Sequence, residues 1–103
     1  MNTLKSKVKQ KNSQYFDIAD LAYIPEREVN EDVLKTGVMI NPIEVYMIDK
    51  IQAPRYGAGG VLYRLNGCVG KNYLVHKGNS RVRAAIQLGY SHIEGISLED
   101  IRQ

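Results

Sequence analysis

Apolar and polar positions divide the chain into short strands and shorter helices. Tyr15-Phe16-Asp17-Ile18 reads as a short strand, Val38 to Ile48 contains a second, and Ser91 to Ile96 forms a closing one. Pro42 belongs at the start of the middle strand or on an edge, because it has no N–H to give a ladder. The apolar run Tyr73-Leu74-Val75 stops at Gly78, and a helical period takes over at once. From about Ser80 to Leu88 that period turns Val82, Ala85, Ile86 and Leu88 toward a core and Arg83 and Gln87 outward, until Gly89 closes the helix. A shorter helix is predicted from Asn30 to Lys35. Asn30 can cap it, Glu31 and Asp32 suit its positive end, and Gly37 stops it.

The breaks between these elements carry their own signals. Asp20 to Pro25 reads as a turn, since proline and the residue before it disfavour helix. Asp49 to Gly60 holds Pro54, Gly57, Gly59 and Gly60 and reads as a flexible loop. Val61 to Leu65 and Tyr73 to Val75 flank Asn66-Gly67, a strong turn dipeptide, and predict a β-hairpin. Ser97-Leu98-Glu99-Asp100 has the spacing of a capping box opening a last helical turn. The sum is an α+β domain with a small mixed sheet and two or three short helices.

Charge changes the picture at one end. Lys5, Lys7, Lys9 and Lys11 precede the first acidic residue, Asp17; set against a net charge of +3, those four leave −1 for the rest of the chain. Residues 1–13 therefore read as a basic flexible arm and residues 14–103 as the domain. Two roles compete for the lysines: binding nucleic acid by counterion release, or serving as a solvated terminus. The alternation of Lys5 to Lys11 with Ser6, Val8 and Gln10 is also compatible with an edge strand. At 103 residues with 44% apolar and 24% charged positions, the composition is that of an ordinary single globular domain. No apolar run approaches the roughly 20 residues of a membrane span. A cytoplasmic location is the expectation. Cys68 is the only cysteine, which excludes an internal disulfide and any site of several thiolates. His76 and His92 stand far apart with no carboxylate at ligand spacing beside them, so no metal site is expected.

The junction at Gly78 holds the most chemistry. A strand that ends in glycine and turns directly into a helix leaves backbone N–H groups without intrahelical partners, and the helix dipole adds partial positive charge there. Arg81 brings a fork of donors to the same turn, and Ser80 a hydroxyl. Together these make a seat for phosphate or another anion. An ordinary strand–helix junction with a solvated arginine has the same pattern.

Gly78-Asn79-Ser80-Arg81-Val82-Arg83-Ala84 resembles the Gly-x-x-Arg-x-x-Ala signature of the ParB/sulfiredoxin superfamily. Asn41-Pro42-Ile43-Glu44-Val45 is similar to that family's Pro-Ile-x-Val strand, Ile18 to Pro25 to its opening segment, and Leu88-Gly89-Tyr90 through Ile96 to its closing strand. The resemblance spans most of the chain and implies nucleotide or nucleic-acid binding at Gly78, Asn79, Ser80 and Arg81, with a nucleoside di- or triphosphate and magnesium as the implied ligand. Sulfiredoxin chemistry is not expected, because its cysteine is replaced by Asn79, which is no comparable nucleophile. The free-serine kinases of the family use two histidines where this chain has Asn79 and Ser80. Their catalytic glutamate would fall near Glu26 or Glu28, which are therefore the candidate bases, opposite Arg81 and under a Gly57–Gly60 lid. ParB proteins carry a glutamate at the Asn79 position; asparagine offers magnesium no charge, so binding is expected more readily than hydrolysis or nuclease activity. No helix-turn-helix follows Ile96, so specific reading of a centromere-like DNA site is not expected. The leading reading is a ParB-like binding module of the kind carried by phages and mobile elements. A catalytically silent protein-interaction module on the same fold and a small-molecule kinase are the alternatives.

Overall fold

The structure, a computed structural model, describes residues 2–8, 10–48 and 71–98. The expected glycine-rich loop, the first arm and turn of the expected hairpin, Cys68, Lys9, and Glu99 and Asp100 of the expected final capping box lie outside the described residues. The elements in chain order are β1 (Thr3–Leu4), β2 (Ser13–Asp17), a 3-10 turn (Ile18–Asp20), β3 (Leu21–Ala22), α1 (Glu31–Thr36), β4 (Ile43–Met47), β5 (Tyr73–Lys77), α2 (Asn79–Leu88) and β6 (His92–Ser97). They form a small mixed α/β domain with a curled sheet.

β6 is the axis of that sheet. Along one edge it pairs antiparallel with β2, from Ser13 opposite Ile96 to Asp17 opposite His92. Its other edge is shared end to end by two parallel partners: β1 pairs with His92 and Ile93, and β4 with Gly95, Ile96 and Ser97. β5 continues the sheet antiparallel to β4, and β3 closes it parallel to β5. Five of the six β6 residues are buried, Glu94 and Gly95 among them. Gly95 has no room for a side chain: a Cβ would stand 2.8 Å from Ile43 Cγ1 and 3.0 Å from the Phe16 ring.

Strand alternation decides what faces the core. Ile43 and Val45 are fully buried while Glu44 and Tyr46, between and after them, are partly exposed. Both helices cover the same face, since Val33 of α1 and Val82, Ala84 and Ala85 of α2 join one core with Leu4, Phe16, Ile43, Val45, Val75 and Ile93. Leu74 and Ala22 face the other way, into a small cluster with Ile24 and Ile48.

Three sequence expectations need correction. The segment Asp20 to Pro25, read as a turn, begins with strand β3, whose Leu21 and Ala22 are buried and pair parallel with Tyr73 and Leu74 of β5. Ile86 and Leu88, read as core positions of the second helix, are 41% and 39% exposed, whereas Ala84 is fully buried. The helix rests on the sheet through its small residues, and close approach turns the buried stripe toward Val82, Ala84 and Ala85. The N-terminal segment, read as a flexible arm, is also built into the domain. The Asn2 carbonyl accepts from the N–H groups of Ser91 and His92, and the Asn2 amide donates to the Gly89 carbonyl. Leu4 is fully buried. Beyond it the chain leaves β6 for the residues that lead into β4: Met39 donates to Lys5, Lys7 to Met39 and Val8 to Ile40. The Ser6 N–H donates to the carboxylate of buried Glu94 at 2.9 Å. The strand itself is only Thr3–Leu4, and among the described residues of Lys5 to Lys11, the stretch read as a possible edge strand, Ser6 makes a single bridge to Met39.

α1 begins and ends as its sequence predicts. Asn30 Oδ1 accepts from the Val33 N–H at 3.0 Å, and Gly37 closes the helix at φ 71°. Six residues do not persist as a helix on their own. Asn30→Ala is expected to cost about 1 kcal/mol. Thermal melting should show this as a Tm lower by roughly 4–8 °C.

Candidate functional site

Gly78 is the N-terminal boundary of α2, with φ 111° and ψ 19°, in the left-handed region. Its carbonyl accepts from the Val82 N–H at 2.9 Å, which starts the helix. Space is as restricted as the backbone: a Cβ here would lie 2.5 Å from Ile43 Cγ2 and 3.1 Å from Arg81 Nη2. The strand, the glycine and the arginine are thus packed as one unit over Ile43.

The four residues expected to share an anion seat do not act together. Asn79 is buried, and its Oδ1 accepts from the Ile24 N–H at 2.8 Å. Its side chain staples the chain after β3 to the helix start, so it is occupied internally and only its backbone remains for a ligand. The Ser80 carbonyl accepts from the Asn30 N–H, tying the second helix to the cap of the first. Arg81 turns toward the 41–42 turn, where Nη1 donates to the carbonyls of Asn41 at 2.7 Å and Pro42 at 3.2 Å. Partial burial lowers the guanidinium pKa from its ordinary value, and the charge of Glu44 opposes that shift.

Two cavities open beside this junction. The smaller, about 240 Å³, is lined by Arg27, His76, Lys77, Gly78, Asn79 and Ser80. The larger, about 550 Å³, takes Arg81 in its wall together with Glu44, Asp32, Lys7 and Lys77. Lys77 alone lines both. The smaller cavity is where the first turn of α2 meets positive charge, but from Arg27 and Lys77 rather than from Arg81. Sequence reasoning passed over both. Lys77 is adjacent to Gly78 and had a signal in that adjacency. Arg27 is brought there by the turn after Pro25, and its carbonyl, like that of Pro25, accepts from Arg83 Nη1.

Glu26 and Glu28 are both exposed and line neither cavity. The carboxylate that acts on Arg81 is Glu44, which stands opposite Lys77 in the β4–β5 register. Its place next to Ile43 in an alternating strand was the signal that could have found it. His76 is exposed and meets the Tyr46 ring edge-on at 5.2 Å. Among the described residues no three His, Cys, Asp or Glu side chains gather as a metal site. Lys5, Lys7 and Lys11 are exposed, so their charges reach solvent although the backbone of Lys5 and Lys7 is held. No helix among the described residues is long and apolar enough to cross a membrane. Comparison with known proteins finds no matching family model, no matching curated protein and no matching solved structure.

Proposed function

We propose that the protein is a ParB-like binding module that seats a phosphate group, of a nucleotide or a nucleic acid, at the N-terminus of α2. The observation that carries this reading is the cavity at Gly78 to Ser80, in which the first turn of a ten-residue helix faces Arg27, His76 and Lys77. The unpaired N–H groups of that turn and its dipole favour an anion, and the two exposed cations Arg27 and Lys77 in the same lining strengthen the preference. The signature residues Gly78 and Arg81 play packing parts in this arrangement: Gly78 lets the helix start against Ile43, and Arg81 holds the 41–42 turn. Asn79 is bonded to Ile24 and offers no charge to magnesium, which favours binding over hydrolysis. Exposure of Glu26 and Glu28 away from both cavities disfavours the kinase alternative.

Thermal-shift titration with nucleoside di- and triphosphates, with and without magnesium, tests this. Saturation at one hundred times Kd is expected to stabilise the native state by about 2.7 kcal/mol. Lys77→Glu should remove the shift, and Glu26→Gln with Glu28→Gln should leave it unchanged. If no phosphate-bearing ligand moves the Tm, the protein-interaction reading takes its place. That reading has one observation of its own, the exposure of Ile86 and Leu88 on α2.

A further inference from the structure

The larger cavity is separate from the phosphate seat in every lining residue except Lys77. Its volume of about 550 Å³ falls within the range of small-molecule sites. Charge in its wall is unbalanced: Lys7, Lys77 and Arg81 stand against Asp32 and Glu44. Arg81 is the most constrained of the three cations. Nη1 is committed to the carbonyls of Asn41 and Pro42, while Nε and Nη2 have no acceptor among the described residues. Arg81 also forms no ion pair with Glu44 among the described residues, so the half-buried guanidinium keeps donors for an added anion.

The rest of the wall sets apolar residues among the polar Gln10, Asn30, Thr36 and Asn41. Val38, Ile40 and Ile96 line it, and Ile40 is 66% exposed while its neighbour Met39 is fully buried. An isoleucine held open to solvent beside three cations suits a ligand with an apolar body and a charged end. The N-terminal segment completes the enclosure. Lys7 and Gln10 line the cavity, and the backbone of Lys7 and Val8 is hydrogen-bonded to Met39 and Ile40. Lys7 is therefore carried at a set position rather than on a loose tail.

We infer that this cleft binds a small organic anion, a carboxylate or sulfonate on an apolar framework, with the anionic group near Lys7 and Arg81 and the framework on Val38 and Ile40. The inference does not depend on the phosphate seat, because Arg27, His76, Gly78, Asn79 and Ser80 line that seat and take no part in this cleft.

The probe is 1-anilinonaphthalene-8-sulfonate, compared with its uncharged parent N-phenyl-1-naphthylamine, each titrated into the full chain and followed by fluorescence and by amide NMR shifts. The sulfonate is expected to bind at least about tenfold more tightly than the parent, with shifts centred on Val38, Ile40 and Lys7. Lys7→Glu should weaken it about tenfold, equivalent to roughly 1.4 kcal/mol. Ile40→Gln, at an exposed position that does not endanger folding, should weaken both probes, and Lys77→Glu should lower sulfonate affinity less than Lys7→Glu does. Equal binding of the two probes, shifts confined to Ile86 and Leu88, or unchanged affinity in Lys7→Glu at an unchanged Tm would each overturn the inference. A positive result here alongside failure of every nucleotide in the thermal-shift screen would separate the two sites.

Discussion

Deleting residues 1–12 is expected to unfold the domain or leave it without a cooperative melting transition. The segment supplies fully buried Leu4, a strand against β6, and the backbone bonds to Met39 and Ile40 that anchor the entry to β4. Removing a buried leucine side chain alone costs about 2–5 kcal/mol. Deletion also strips the Ser6 N–H from the buried Glu94 carboxylate, and losing such a partner adds about 1–3 kcal/mol or more. Small domains have only about 5–15 kcal/mol in total. Leu4→Ala is the milder version, with a Tm drop of roughly 10 °C or more expected for a domain of this size. Circular dichroism melts of the truncated chain and of Leu4→Ala check both. A truncated chain that melts within a few degrees of the full one would restore the flexible-arm reading. The electrostatic role of the lysines is then tested without disturbing the fold, by Lys5→Gln with Lys11→Gln. Nucleic-acid affinity should weaken, and its salt dependence should flatten according to how many phosphates the two lysines neutralise.

Gly78→Val is the second large effect. The new Cβ would overlap Ile43 Cγ2 at 2.5 Å and Ile43 Cβ at 2.9 Å, both held in the centre of the core. It would also force a β-branched residue into φ 111°. Overpacking costs about 1–3 kcal/mol, and a strained backbone of this kind adds about 1–3 kcal/mol. A reduced denaturation midpoint is the readout. A double-mutant cycle separates the two causes. Gly78→Ala combined with Ile43→Ala should be less destabilised than the sum of the single changes, because the second removes Cγ2, the nearer of the two Ile43 atoms that the first strikes. Strict additivity would show that the left-handed backbone alone sets the requirement for glycine. In either case the glycine is kept by packing against β4 before any ligand is considered.

Local order was legible along the chain wherever one residue decides the outcome. Asn30 and Gly37 bound α1 because a side-chain acceptor and a left-handed position suffice to start and stop a helix. Gly89 ends α2 in the left-handed region as Gly37 ends α1, Gly78 opens α2 in that same region with no side-chain cap, and the alternation at Ile43 to Val45 marked β4 and its buried face. Helix periodicity was less informative for α2, since a face of Val82, Ala85, Ile86 and Leu88 and one of Val82, Ala84 and Ala85 differ by a small rotation that only the neighbouring sheet selects. The N-terminal lysines misled for a related reason. Net charge says nothing of the backbone, whose hydrogen bonds to β6 and to Met39 come from a pairing with residues more than thirty positions away.

The site divides along the same line. The strand–glycine–helix junction follows from contiguous residues, so its backbone donors could be read directly from the sequence. Which cations face those donors could not. Arg27 arrives there from the turn after Pro25, and Arg81 is drawn aside by the carbonyls of Asn41 and Pro42. Glu44 rather than Glu26 or Glu28 acts on the arginine, because β4 lies beside β5 in the sheet. Sequence by itself determined the longer strands, both helices and the helix start at Gly78, since those depend on short-range dihedral and hydrogen-bonding preferences, whereas the two-residue strands β1 and β3 exist only through their pairing with β6 and β5. Tertiary structure alone decided which charges share a cavity, since that depends on strand order and on side chains brought together from distant parts of the chain.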